Sequence, residues 1–432
     1  MNYLLDSRNS ATYPSFEQRW LVVVFALALV IRVAYAFLAP LYDPFLVQDE
    51  LWGDARDFDE LAWNLLEGNG FTQSETYLPS SFRPPLYPVL LAALHGIFGP
   101  GLVAPRLVQA LLGALVVPVG YLIAKRLFGG GVARLTGIGI ALHPILIYFG
   151  AWIISDTLFV LLFTSTILFA VITAERASIL PAVLTGVSLG LSVLTRPQGV
   201  LLLPLILVWS AWNLKGSAKP KWILYPTFIL LSTLAVLMPW TIRNYGVHKE
   251  LVFVSTNGGF TFYGANNPDA FGGHVPGYPP PIEGLSEVER DREYYRLGLQ
   301  WIRQAPEDFI SLLPKKFIRL WSPIQVNIEQ KGFSLPGAAI IQGVYALYLL
   351  LATYGATRIG PNWKSASIVL YPILCVVIPG LVYYGGTRYA LPLAPFLVVL
   401  TAVGLARNRL TRYLLEITLP RVGYHVLDEG QH

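Results

Sequence analysis

One cysteine, Cys375, stands in a chain of 432 residues, and it lies inside an apolar run. A lone thiol excludes an internal disulfide framework, a CxxC redox pair and a thiolate zinc cluster, and reads as a small packing residue. Charge is scarce as well. Only 13% of the residues are charged, about half the usual share, which argues against a set of soluble domains. Lys+Arg 31 against Asp+Glu 26 gives a net charge of +5, but the cations are scattered between apolar runs, so the composition excludes nucleic acid as a partner. The chain lacks a P-loop nucleotide signature, a GxSxG elbow and an HExxH pair, and His95, His143, His248 and His274 have no metal-ligand spacing. It also lacks heptads, low-complexity tracts and any repeat of about 20 to 50 residues. If the chain is an enzyme, an energy source or activated donor therefore has to come from within the membrane.

What is present is apolar sequence. Hydrophobic residues make up 54% of the chain, and they gather into runs of bilayer-crossing length. The runs are Trp20–Leu38, Leu107–Ala124, Ala133–Tyr148, Thr157–Ala174, Ile179–Leu194, Val200–Trp212, Ile223–Pro239, Pro336–Ala356, Ile368–Tyr384 and Leu391–Leu405. The pattern predicts an all-α polytopic membrane protein with about ten transmembrane helices, outer-face juxtamembrane helices and a small outer cap. Pro84–Phe98 is too short to cross and is expected to lie at the outer face. With that segment set aside, Arg8/Arg19, Lys125/Arg126/Arg134, Arg176, Lys215/Lys219/Lys221, Arg358/Lys364 and Arg407/Arg409/Arg412 fall in alternate loops. The positive-inside rule then puts both termini in the cytoplasm. The first apolar stretch, followed by Ala34-Tyr35-Ala36, could be a signal peptide, but Arg32 and the apolar continuation to Pro40 favour an uncleaved anchor.

Two long segments remain for the outer side, 42–106 and about 244–335. The chain accordingly divides into a transmembrane catalytic core over 1–243 that includes outer loop 42–106, an outer loop with short helices over 244–335, and C-terminal spans with a short cytoplasmic tail over 336–432. In the outer loop, EVERDREYYRLGLQWIRQ shows helical periodicity, with Tyr294, Leu297, Trp301 and Ile302 along one face.

The candidate chemistry lies at the outer ends. DELWGDARDFDELAWNLLEGNGF, residues 49–71, has an acidic edge of Asp54 and Asp57 and an apolar stripe of Phe58, Leu61, Ala62 and Leu65, which predicts an amphipathic surface helix. Asp54 is at once a natural N-cap of that helix and a candidate base; the two roles are compatible. Arg83 precedes Pro84-Pro85, which excludes a regular helix through it; it reads either as a headgroup anchor or as a guanidinium aimed at a site. The topology brings Arg32, Arg106, Asp156, Arg196, Arg243, and Arg388 with Tyr389 to the same side. Arginines offer fixed forks for phosphate oxygens, and charges at that depth are costly unless they serve a function.

These segments form a familiar series. GDARDFDELAWNLLEGNGF, FRPPLYPVLLAALHGIFG, APRLVQALLGAL, SDTLF, LTRP, PWTIRNY with STNGGFTFYGANNP, and GGTRYALPLAPFL resemble, in order, the motifs of the C-type (GT-C) membrane glycosyltransferases. The branch resembled is that of the bacterial protein O-mannosyltransferase and lipid A aminoarabinose transferase relatives, from about Arg32 to Pro395. The resemblance implies a polyprenyl-phosphate-linked sugar as donor, a lipid, glycan or protein as acceptor, and work on the periplasmic or extracellular side of the inner (plasma) membrane. It implies Asp54 as the first-loop aspartate and Asp156 as the acid opening a later span, both catalytic. Arg83 and Arg106 match basic positions of the family, and Gly258–Gly259, Asn266 and Asn267 match its segment near the donor sugar. Where many relatives carry a second carboxylate after the first aspartate this chain has Ala55, which leaves Asp57 or Asp59 as the second acid and leaves a divalent metal unsupported. The chain also ends soon after its last span, without the soluble C-terminal domain of some relatives.

The competing reading is a lipid-linked-sugar flippase or transporter. Transporters place binding groups at the midplane on broken helices, often in repeated halves. Here the charges gather at one face. A non-catalytic assembly subunit would account for the outer cap but not for buried arginines.

Overall fold

A computed structural model describes residues 16–41, 51, 53–73, 78–214, 220–275, 277–322, 335–361 and 363–407, with the side chains of 335–341 left aside. Arg8, Lys215, Lys219, Arg409, Arg412 and residues 42–50 lie outside the described residues.

The helices in chain order are α1 (Phe16–Leu38), α2 (Asp54–Leu66), α3 (Leu86–Phe98), α4 (Val103–Phe128), α5 (Gly130–Ala141), α6 (Pro144–Gly150), α7 (Asp156–Arg176), α8 (Ile179–Thr195), α9 (Leu202–Leu214), α10 (Lys221–His248), α11 (Gly258–Ala265), α12 (Glu287–Gln304), α13 (Pro306–Leu320), α14 (Leu335–Thr357), α15 (Trp363–Ala366), α16 (Tyr371–Val382) and α17 (Ala394–Arg407). No strand occurs among the described residues beyond one isolated bridge, Thr72 to Pro79. Every one of the ten apolar runs is helical. Six helical stretches have the length and composition to cross a membrane, and a seventh does so if α5 and α6 are one span bent by 45°. The protein is therefore a multi-pass membrane protein. At 13 residues, α3 measures about 20 Å and is too short to cross.

Small residues let the bundle close. A side chain at Gly186 or Gly190 of α8 would run into the α10 backbone at Ile229 and Thr233, and one at Gly355 of α14 would meet the α17 backbone at Leu400. In a lipid environment such close backbone approach is a main source of helix association. The α10 helix runs to His248, past the boundary expected at Pro239. Its extension is held by Trp240 Nε1 donating to the Val254 carbonyl at 2.7 Å and by Asn244 Nδ2 donating to that of Val252 at 3.1 Å. A proline costs a helix one hydrogen bond, and here tertiary bonds to the returning loop offset it.

The bend between α5 and α6 explains Arg32. Pro144 and the His143 N-cap end one helix and start the next, which strips the last carbonyls of α5 of intrahelical donors. Arg32, only 2% exposed, supplies them. Its guanidinium donates to the carbonyls of Ile140 and Ala141, each at 3.0 Å, and to Ala28 at 3.2 Å. Gly113 of α4 leaves the room it needs. Arg32 is thus a carbonyl cap inside the bundle and not a member of the charged cluster that the sequence suggested. The broken backbone is tolerated at membrane depth because protein donors satisfy it.

Charge sorts the two ends of the bundle. At one end Lys125 pairs with Glu17, and Arg126 Nη1 with Glu175 Oε2 at 2.6 Å. The other end carries α2, α3, the C-terminus of α10 and helices α11–α13, and a buried knot fastens these together. Glu287, in the first turn of α12, accepts from Ser80 Oγ and the Ser81 amide, both at 2.8 Å, and from Thr256 Oγ1 at 2.5 Å. The buried face of α12 is Val288, Tyr294 and Gly298, one position off the expected Tyr294–Leu297–Trp301 line, because Phe262 of α11 packs on Gly298.

Candidate active site

Asp54 opens α2, but its N-cap is Gly53, whose φ of +54° only glycine adopts readily. Asp54 is thus the first helical residue and makes no side-chain cap. This corrects the capping expectation and frees its carboxylate for other partners. Asp57, three residues on, lies on the same edge. The remaining ionic groups come from four other segments. Arg83 stands in the bend before Pro84-Pro85, and Asp156 is the first residue of α7, where the helix dipole favours a carboxylate. Arg196 is the extended C-cap of α8 ahead of Pro197, and Arg388 lies in the turn between α16 and α17.

These six side chains form one chain of alternating charge. Asp57 Oδ2 accepts from Arg83 Nε at 3.0 Å and Nη2 at 2.6 Å. Arg83 Nη2 also reaches Asp54 Oδ1 at 2.6 Å. Asp54 Oδ2 accepts from Arg388 Nη1 at 2.5 Å. Arg388 continues to Asp156 Oδ2, through Nε at 2.9 Å and Nη2 at 2.8 Å, and the other oxygen of Asp156 takes Arg196. Three carboxylates meet three guanidiniums, so the row is neutral overall. Phenylalanine rings of residues 58 and 82 lie 5.6 and 5.2 Å from the Arg83 guanidinium, and Tyr389 lies 5.4 Å from that of Arg196. The Tyr389 hydroxyl donates to that of Tyr384 at 2.8 Å.

Exposure differs among the members of the row. The Asp156 side chain is 1% exposed, that of Arg388 18%, Asp54 27% and Asp57 41%. The row is sealed at Asp156 and opens toward Asp54 and Asp57. Burial works to raise the Asp54 carboxyl, but the charges of Arg388 and Arg83 outweigh it and hold the group well below the usual carboxylate range. Asp54 is therefore an anion in the resting protein. All three carboxylates of the row are taken by guanidiniums, and among the described residues no three histidine, cysteine or carboxylate side chains come together as metal ligands.

The structure brings together Asp54, Arg83, Asp156, Arg196, Arg388 and Tyr389 of the residues singled out in the sequence, and it places the others elsewhere. Arg106 is buried on the first turn of α4. Arg243 is spent on the loop before Arg83: Nη1 donates to the Ser80 carbonyl at 2.7 Å and to Ser81 Oγ at 3.0 Å, Nη2 to the Phe71 carbonyl at 3.1 Å, and the group stacks on Trp240 at 4.7 Å. It positions the strand of chain that carries Arg83. Asn266 and Asn267 are fully buried and bond to backbone carbonyls, Asn266 Nδ2 to Phe262 at 2.8 Å and Asn267 Nδ2 to Tyr263 at 2.9 Å. Gly258 and Gly259 do permit a close approach, but it is to α12, at Tyr295 and the Asp291 backbone.

Sequence reasoning gave no sign of Tyr384, since a tyrosine in an apolar run carries no positional signal. It also passed over Lys316 and Arg319 on α13. Lys316 is wholly buried and donates to Asn266 Oδ1 at 2.7 Å, and burial pushes its ammonium down to about 8.

Three comparisons bear on this geometry. Residues 82–242 match the sequence model of the family described as dolichyl-phosphate-mannose-protein mannosyltransferase. A search of curated proteins by sequence found no match. Among solved structures, ArnT from Cupriavidus metallidurans bound to undecaprenyl phosphate superposes with a TM-score of 0.55 at 15% identity, over 90% of this chain and 60% of that one. The archaeal oligosaccharyltransferase AglB from Archaeoglobus fulgidus, in complex with an inhibitory peptide and a dolichol-phosphate, superposes with a TM-score of 0.61 at 14% identity, over 95% of this chain and 53% of that one. The chain thus spans a little over half the length of either enzyme. The chain therefore shares the fold of these two enzymes, and its segment 82–242 is similar to the mannosyltransferase family.

Proposed function

We propose that the protein moves a sugar from a polyprenyl-phosphate-linked donor to a lipid, glycan or protein acceptor at the outer face of the membrane, in one inverting step. The observation that carries this reading is the Asp54 carboxylate, ionised between Arg83 and Arg388 and partly exposed where Asp156 of the same row is sealed in protein. In the step, the acceptor oxygen attacks the anomeric carbon and gives its proton to Asp54, while the bond from that carbon to the phosphate oxygen breaks and its electrons leave with the lipid phosphate. A carboxylate held so far below neutrality is a weak base. The donor phosphate corrects this, because its oxygens compete for Arg388, and each loosening of that bond raises the proton affinity of Asp54. Asp156, bound to Arg388 through its far edge, keeps the guanidinium aimed. Metal assistance has no support from these residues, since the carboxylates that would serve it are bonded to arginines.

The proposed organisation follows the sequence: a core over 1–243 with outer loop 42–106, an outer segment over 244–335, and terminal spans over 336–432. The ten apolar runs and the cations gathered at the end away from the site support a bilayer orientation with the site on the periplasmic or extracellular side of an inner membrane. Turnover is the direct test. In nanodiscs, the protein is expected to release polyprenyl phosphate from a polyprenyl-phosphate sugar when acceptor from membrane extract is supplied, with the anomeric configuration of the product inverted by NMR. Retention of configuration would remove the one-step mechanism.

Sidedness is tested separately. Glu283 is exposed beside α12 and Arg176 is exposed at the far end of α7. In a Cys375→Ser background, a membrane-impermeant thiol reagent on intact cells is expected to label Glu283→Cys and spare Arg176→Cys. The reverse pattern inverts the topology.

A further inference from the structure

His274, one of the histidines without a metal-ligand spacing, is carried to the charged row by the loop between α11 and α12. A glycine pair makes this possible. Gly272 has a φ of +95°, and its carbonyl accepts from the Gly385 amide at 3.1 Å, in the turn that carries Arg388. A side chain at Gly272 would press on the α13 backbone at Lys315 and Lys316. One at Gly273 would collide with the Arg319 guanidinium, which lies 4.9 Å from the Phe271 ring. The loop is therefore wedged between α13 and the Arg388 turn, and the next residue, His274, comes down on Tyr384. Their rings lie 5.9 Å apart at 48°. Tyr384 meets Tyr389 edge-on at 5.1 Å, and Tyr389 covers Arg196. His274 is thus the outer end of an aromatic stack whose inner end is the sealed part of the row.

The other described histidines are tied into the fold. His95 Nε2 bonds to Asp59 Oδ1 at 2.9 Å, His143 Nδ1 accepts from the Leu146 amide at 3.4 Å, and His248 Nε2 meets Ser81 Oγ at 2.9 Å. His274 differs. It makes no hydrogen bond or ion pair with a described residue, and one side of it is open to solvent. A ring held in place by its loop, with both nitrogens left over beside a reactive carboxylate, is preorganised for a ligand.

We propose that His274 reads hydroxyl groups of the sugar carried by the donor, one ring nitrogen donating and the other accepting, with Tyr384 as the adjoining wall. The inference rests on the glycosyltransferase reading and names within it a specificity-determining residue. The chemistry matches. A sugar hydroxyl both gives and takes a proton, so adjacent hydroxyls suit a group that does the same. The carboxylates and guanidiniums of the row are already bonded to one another, whereas a neutral imidazole is such a group. Packing holds the ionisation of His274 below the usual imidazole range against the opposing pull of the Asp54 charge, so the ring is neutral at pH 7. Position selects the donor sugar over the acceptor. In the donor the sugar is bonded directly to the phosphate assigned to Arg388, and the His274 loop is hydrogen-bonded to the turn that bears Arg388.

The experiment measures binding of undecaprenyl phosphate, bare or carrying mannose, glucose or aminoarabinose, to the whole protein in nanodiscs. Wild type is expected to bind at least one sugar-bearing lipid about tenfold more tightly than the bare carrier. His274→Ala and His274→Phe should both remove that preference while leaving the affinity for bare carrier unchanged. His274→Gln, which keeps one donor and one acceptor, should retain part of it. Phenylalanine is the decisive variant, because it keeps a ring on Tyr384 and removes only the nitrogens. If His274→Phe keeps the preference, His274 is a packing residue and the inference is overturned. A raised acceptor KM in His274→Ala with the donor preference intact would place His274 on the acceptor and overturn the donor assignment. A wild type without preference for any of the sugars also overturns the inference; sugar release in the turnover assay would then show that the glycosyltransferase reading stands without it, and no release would remove both. The His274→Phe melting temperature is expected to match that of wild type, which separates lost recognition from lost fold.

Discussion

Replacing Asp54 with asparagine is expected to reduce sugar transfer by about 10³-fold, a loss of roughly 4 kcal/mol in transition-state stabilisation, with little change in thermal stability. The amide is close to isosteric with the carboxylate but cannot accept a proton from the acceptor hydroxyl. Stability is spared for two reasons. Asp54 does not cap α2, so the helix start does not depend on it. Each of its two arginines also keeps another carboxylate, Arg83 through Asp57 and Arg388 through Asp156. Donor binding should persist, so single-turnover transfer and donor affinity must be measured on the same sample. Turnover within tenfold of wild type would exclude Asp54 as the base and turn attention to Asp57, the other exposed acid of the row.

Asp156→Ala should behave in the opposite way, as a folding lesion first. Asp156 is 1% exposed and is the carboxylate that neutralises Arg196, which is itself only 14% exposed. Removing one partner of a buried ion pair leaves the other charge desolvated and uncompensated, at a cost of about 3–5 kcal/mol. Arg388 loses its aim at the same time, so activity falls too. The diagnostic is the order of melting temperatures in detergent, with Asp156→Ala well below Asp54→Asn, and partial recovery in the double variant Asp156→Ala/Arg196→Met, where the stranded charge is gone. If both single variants melt with wild type, the row is not the structural tie described above. A double variant no more stable than Asp156→Ala would place the damage at Arg388 alone.

The two substitutions thus separate groups that the sequence presents alike. Both are aspartates at the start of a helix. Only burial, decided by which segments pack around them, leaves one carboxylate partly open to solvent and seals the other inside the protein.

Much of this protein is legible without coordinates because a bilayer is a simple solvent. It demands apolar runs of fixed length with internally satisfied backbones, and composition alone reports them. Hence the ten helical runs, the surface helix at Asp54 and the sorting of cations to one end all follow from local sequence. The identities of Asp54, Arg83, Asp156, Arg196 and Arg388 as one group could be anticipated for the same reason, since charges at such depth must find each other. Pairing is another matter. Arg32, Arg243 and Arg388 look equivalent in sequence, yet the first caps a broken helix, the second anchors a loop and the third joins two carboxylates. What an arginine does depends on which orphaned carbonyl or carboxylate lies within a few ångströms, and that is set by contacts between segments more than a hundred residues apart. Asn266 and Asn267 show the limit most plainly: amides suited to reading a sugar are used to tie their own loop to the backbone. Local sequence determined which segments enter the membrane and where charge could not be buried alone; the tertiary fold decided which charges pair with each other and which hold backbone carbonyls, because pairing is a property of distance and not of order along the chain.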